Sequence, residues 1–211
     1  MSNFILRFFS SIILAPLFIY FIYANNFFFI FLLMVILALA IFELKFLIKK
    51  NVIFFFFLLL IIIFFIYAFF ELRGDKTINF YYLLWLIILV WLTDIGGYLI
   101  GKFFGGKKLS KWSPNKTYSG LIGSIFFSQM SIFIVNIFFY LIPYSIFILL
   151  IQLSFCIISI FGDLFFSFIK RKYGIKDYSG IIPGHGGILD RIDGLIFVII
   201  IFYLINSNYA F

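Results

Sequence analysis

Apolar residues run almost continuously along this chain, and the polar residues that interrupt them fall into a few short clusters. A helix crossing a bilayer core about 30 Å thick needs roughly 20 mostly apolar residues. Seven stretches are that long: about 4–24, 27–47, 52–71, 80–100, 119–142, 144–168 and 189–206. Continuous apolarity, without the strict alternation of a lipid-facing strand, predicts helices and not a barrel. The last stretch is the shortest, and its first turn carries the charged sequence Asp190-Arg191-Ile192-Asp193. The expectation is an all-α, polytopic transmembrane bundle of about seven helices. Residues 1–79 supply about three N-terminal spans, and 80–211 form a second region with polar loops at 101–118 and 170–188.

Charge gives this pattern a direction. If the N-terminus is cytoplasmic and the spans alternate, 14 of the 16 basic residues fall on the cytoplasmic side. Only Arg73 and Lys76 fall outside, accompanied by Glu71 and Asp75. The positive-inside rule therefore predicts seven spans, with the C-terminus on the far side of a cell (inner) membrane. Arg7 ahead of the first apolar stretch, with only a weak cleavage sequence at Tyr23-Ala24-Asn25, reads as a retained helix and not a leader. The composition, 65% hydrophobic with 36 Phe, excludes a soluble domain of this size. A single cysteine, Cys156, excludes a disulfide framework within one chain. Nothing calls for a nucleic-acid partner, and a homodimer is left open.

Candidate chemistry concentrates between Gly162 and Gly194, which hold four of the eight acidic residues and the one histidine. Asp163 is expected near the cytoplasmic end of the sixth span, where an ionised carboxylate needs a partner. Asp190 and Asp193 stand three apart and share a helix face. Three neighbouring carboxylates repel one another unless a cation lies between them, and hard oxygen ligands suit Mg²⁺. Lys170, Arg171, Lys176 and Arg191 add positive charge for phosphate groups. Metal-binding acids together with cations are what phosphoryl or nucleotidyl transfer requires. Between them, Ser179-Gly-Ile-Ile-Pro-Gly-His-Gly-Gly187 breaks any helix and lets backbone N–H groups approach a ligand. His185, within it, is a candidate proton carrier or phosphate donor. Blander readings compete: Lys45 and Lys172 read as topology signals, and Asp177 beside Lys176 reads by itself as a surface pair. The intramembrane acids have no topological use.

A second polar cluster follows the fourth span. Asp94 falls within or at the end of that span, and Lys107, Lys108, Lys111 and Lys116 make a basic loop with Ser113 and Thr117. Alone, such a loop could simply attract anionic lipid.

From Ser167 to Asp193 the chain resembles the signature of the phosphatidate cytidylyltransferases, the CDP-diacylglycerol synthases. That pattern is met at Ser167, Lys170, Arg171, Lys176, Asp177, Pro183, His185, Gly186, Gly187, Asp190, Arg191 and Asp193. A second family segment is similar at Asp94, Tyr98, Ser113, Pro114, Lys116, Thr117 and Gly120. The sequence departs from the family at Gly97 (usually Ala), Asn115 (usually Lys), and Ser119 and Phe166 (usually Glu). The resemblance covers about 94–194. It implies transfer of CMP from CTP to phosphatidate, giving CDP-diacylglycerol and pyrophosphate on the cytoplasmic side of the membrane. It implies Mg²⁺ on Asp163, Asp190 and Asp193, with a second cation left open. Lys170, Arg171, His185 and Arg191 then act on phosphates. Ser113, Lys116, Thr117, Ser167, Lys176, Asp177, Gly186, Gly187 and Asp94 line the substrates. The alternatives are a CTP-dependent transferase acting on another membrane lipid phosphate or alcohol, and a cation channel or transporter. A channel would spread its acids through the bilayer depth, whereas these gather at one face.

Overall fold

The structure is a computed structural model describing residues 3–74, 77–139, 142–182 and 186–209, with side chains for 12–74, 79–139, 142–182 and 186–207. Among the described residues the chain is helical, without a strand. Its elements are α1 (Asn3–Tyr23), α2 (Asn26–Leu44), α3 (Phe46–Lys50), α4 (Val52–Arg73), α5 (Thr77–Phe104), α6 (Tyr118–Phe139), α7 (Ile146–Lys172) and α8 (Leu189–Tyr209). Seven of these are long, and each coincides with an apolar stretch read from the sequence. α5 and α7 continue four residues past their apolar stretches, so the polar connections are shorter than expected, 105–117 and 173–188. Both helices end on a chain reversal that glycine permits, with positive φ at Gly105 and Gly174.

Five segments are long and apolar enough to cross a membrane: Asn26–Lys50, Val52–Arg73, Asn79–Phe104, Tyr118–Phe139 and Ile146–Lys172. The chain is a membrane protein. α8 falls outside that group because Asp190, Arg191 and Asp193 all lie in its first turns. The exposed surface agrees with lipid as the solvent. Phe27, Phe31, Met34, Ile53, Phe56, Phe57 and Leu60 present bare apolar faces that water would not tolerate together.

The chain divides into two compact units. The first comprises Met1–Asp75, Ile175–Ile192 and Ile199–Phe211, and the second Lys76–Gly174 and Asp193–Val198. In the first, α2 and α3 bury Phe29, Leu33, Ile36, Ala40, Leu44 and Leu47, while α4 buries Phe55, Leu58, Ile62, Phe65, Phe69 and Leu72. Steps of three and four put each set on one helix face. Arg73, in the last turn of α4, donates to the carbonyls of Ile22 and Ala24 and to Asn26 Oδ1, which fixes the turn from α1 to α2.

In the second unit α5 and α6 pack backbone to backbone through small residues. A Cβ at Gly123 would lie 2.5 Å from the Gly96 carbonyl oxygen, and one at Gly120 2.7 Å from that of Gly97. Close approach through glycine is the usual route to helix association in lipid, where burial of apolar side chains gives no advantage over the lipid tails. Buried polar groups then pair between helices: Ser124 Oγ donates to the Thr93 carbonyl at 2.7 Å, and Gln152 Nε2 to Ser131 Oγ at 2.5 Å.

Candidate active site

The loop from 105 to 117 folds back on itself as a short ribbon. Leu109 N–H donates to the Lys116 carbonyl at 2.8 Å and Tyr118 N–H to that of Lys107 at 3.1 Å. Thr117 ends the ribbon by capping α6: its Oγ1 accepts from Gly120 N–H at 3.1 Å. Ser119 Oγ donates to the Gly105 carbonyl, joining the two ends of the loop. These bonds deliver Lys116 to the second unit's cluster of acids, where its ammonium forms an ion pair with Asp163 of α7. Asp163 Oδ1 also accepts from Ser167 Oγ, one helical turn on, at 3.2 Å.

Asp193 reaches the same cluster through another glycine contact. A Cβ at Gly162 would meet the Asp193 carbonyl oxygen at 2.7 Å, and one at Gly194 would meet Ser159 Oγ at 2.6 Å. The backbones therefore touch beside the two acids, Asp163 next to Gly162 and Asp193 next to Gly194. Asp193 is buried, and its Oδ1 accepts from Gly194 N–H at 2.9 Å. Asp163, Asp94, Lys116 and Lys170 all act electrostatically on it, and Lys170 is itself 8% exposed. Burial pulls the Lys116 ammonium down, but Asp163, Asp94 and Asp193 more than offset it, leaving its pKa above the ordinary 10.5. Lys116 thus pairs with Asp163 and also feels the charges of Asp94 and Asp193. Among the described residues no three Asp, Glu, His or Cys side chains already form a metal cage; Lys116 and Lys170 supply positive charge to these acids. Hard oxygen donors around a position that holds a cation suit a divalent ion.

The other sequence-predicted residues are placed as follows. Ser113 sits in the 105–117 ribbon and Arg171 is exposed near the end of α7. In the first unit, Lys176, Asp177 and Arg191 are exposed, and Asp190 lies in the first turn of α8. The Asp190 Oδ2 atom accepts from Gly187 N–H at 2.9 Å and Tyr178 N–H at 3.0 Å. Ile182 and Gly186 exchange backbone hydrogen bonds at 2.9 and 3.2 Å, and Gly186 has φ +86. Pro183 and His185 lie outside the described residues. Two of the family departures, Gly97 and Phe166, fit their surroundings. Gly97 faces Ser124 Oγ, which a Cβ would meet at 2.6 Å, and Phe166 is fully buried against the Phe197 ring.

One buried acid of the first unit escaped the sequence reading. Glu43 of α2 is 2% exposed and accepts from Ser179 Oγ at 2.7 Å, Ile188 N–H at 2.8 Å and Leu189 N–H at 2.9 Å. Its signal was present, the single acid of the apolar stretch 27–47, which lipid tolerates only with partners.

Known proteins share this chain's sequence over most of these elements. A model of the cytidylyltransferase family matches residues 8–208. A phosphatidate cytidylyltransferase from Brucella suis biovar 1 is 39% identical over 141 residues, 66% of this chain and 52% of that protein. One from Staphylococcus haemolyticus is 43% identical over 137 residues, 62% of this chain and 50% of that protein. One from Bacillus subtilis is 38% identical over 144 residues, 67% and 53% respectively. The chain spans about half the length of the curated relatives it matches. With a family match running from the first apolar helix to the last, this chain belongs to the cytidylyltransferase family.

Proposed function

We propose that this protein is a phosphatidate cytidylyltransferase. A phosphatidate phosphate oxygen attacks the α-phosphorus of CTP, the bond from that phosphorus to the β-phosphate oxygen breaks, and CDP-diacylglycerol and pyrophosphate result. The observation that carries this reading is the pairing of Lys116 with Asp163 beside Asp94 and Asp193, within a member of a cytidylyltransferase family. Charged groups in a membrane bundle are retained where chemistry needs them.

The lipid phosphate is already anionic, so no protein nucleophile is required. The protein's task is to orient two anions and offset their charge. Lys116, Lys170, Arg171 and Arg191 are assigned to phosphate oxygens, with Ser113, Thr117, Ser167 and Lys176 as further donors. His185 is assigned to a phosphate oxygen on the resemblance alone. Asp163 and Asp193 would hold Mg²⁺, with Asp94 beside them and Asp190 proposed as a further ligand from its spacing to Asp193. Bound there, the ion supplies neutralisation of the triphosphate charge. We place the site at the cytoplasmic face of the cell membrane, because 14 of 16 basic residues sort to that side. There a soluble nucleotide meets a lipid still seated in its leaflet.

The test is pyrophosphate release by the purified chain in lipid nanodiscs, with CTP, Mg²⁺ and phosphatidate. Turnover that requires all three supports the reading. Turnover only with an isoprenoid phosphate or a lipid alcohol would replace the acceptor, and no CTP consumption with any acceptor would remove the assignment.

A further inference from the structure

α8 begins without a local cap. A helix leaves its first N–H groups unpaired, and Ser, Thr, Asp or Asn just before the first turn normally accepts from them. Here the preceding residues are Gly186, Gly187 and Ile188, which have no side-chain acceptor. Part of the demand is met from within the turn: Asp190 Oδ2 reaches back to Gly187 N–H at 2.9 Å, as in a capping box. Two further donors, Ile188 N–H and Leu189 N–H, both end on Glu43, which lies 145 and 146 residues away in sequence. The same carboxylate takes Ser179 Oγ, on the near side of the Ile182–Gly186 bridge. One buried side chain therefore holds both ends of the glycine-rich segment and the start of the helix that carries Asp190 and Arg191. A negative group at a helix amino terminus also gains from the helix dipole.

Gly187 is shaped to this arrangement. A Cβ there would lie 2.5 to 2.6 Å from three atoms of the Glu43 carboxyl group, so no larger residue fits while Glu43 keeps its place. The geometry points to Glu43 as a positioning residue: it caps α8 from another helix and fixes the Gly186-Gly187 turn, thereby setting the orientation of Asp190 and Arg191. Its value to catalysis rests on the cytidylyltransferase reading above, whereas the cap itself does not.

Two measurements on the full chain in nanodiscs keep these separable. The first is hydrogen–deuterium exchange of the peptide containing Ile188 and Leu189. Glu43→Gln replaces one acceptor oxygen by a donor and is expected to raise exchange there by about tenfold or more, with α5 and α6 unchanged. Gly187→Ala should have the same effect, and much less of one in a Glu43→Ala background, where the obstructing atoms are gone. Unchanged exchange in Glu43→Gln, or fully additive effects in the double variant, would overturn the cap. The second is kinetics with CTP and phosphatidate. Glu43→Gln should lower kcat about tenfold while KM for CTP stays within about threefold and the melting midpoint stays near wild type. Folded Glu43→Gln protein with wild-type kcat would make Glu43 purely structural. If the wild type itself consumes no CTP, the functional reading fails, and the exchange experiment alone decides the cap.

Discussion

Lys116 contributes to the charge balance of the candidate site through its ion pair with Asp163, and its removal tests that contribution directly. Lys116→Met takes the ion-pair partner from Asp163 and the nearby ammonium from Asp94 and Asp193, and the expected loss in kcat/KM is about a hundredfold or more, roughly 2.7 kcal/mol of barrier. The pH dependence follows from the direction of the Lys116 shift. Its folded pKa lies above the ordinary 10.5, so its contribution to stability is complete below 10.5 and fades as pH rises through the folded value. Wild type should therefore hold a constant melting advantage over Lys116→Met from pH 6 to about 9 and lose it only in strong alkali. A loss already at neutral pH would mean that Lys116 is not held charged by these acids. Asp193→Asn and Asp163→Asn should each lower CTP- and Mg²⁺-dependent pyrophosphate release about a hundredfold. Near-normal turnover in either variant would remove that residue from the site.

At the scale of elements, glycine decides how closely helices approach, and hence which acids meet. Gly123→Ala forces a methyl to within 2.5 Å of the Gly96 carbonyl oxygen and the Ile100 Cβ, both on a rigid helix. Overpacking of that kind costs about 1–3 kcal/mol, so a lower melting midpoint in detergent is expected. Gly162→Ala strikes backbone on α8 at 2.7 Å from the Asp193 carbonyl oxygen. It should reduce turnover by more than its stability loss explains, because it separates Asp163 from Asp193. Equal turnover per folded molecule would show that their spacing is unimportant.

For the whole molecule the prediction is topological. Cys156 is the one cysteine, and it is buried, so a Cys156→Ser background accepts single cysteines for labelling. In intact cells an impermeant thiol reagent should label cysteines placed at Glu71 and Tyr144, and leave those at Lys49 and Lys108 unlabelled until the membrane is opened. The reverse pattern would put the basic loops, and the candidate site with them, on the outer side.

The sequence by itself determined the helices, because transfer into lipid is a property of a local window of about 20 residues. It located α8 and explained its weakness as a span, since Asp190, Arg191 and Asp193 are contiguous with its apolar part. It also carried the family resemblance, because the Ser167–Asp193 signature is written along one stretch of chain. Tertiary structure alone decided which charges share a partner. Lys116 meets Asp163 because a ribbon and a capped helix aim it there, and Glu43 completes a helix begun more than a hundred residues later. Such partners are chosen by packing distance between helix backbones, and spacing along the chain does not encode that distance.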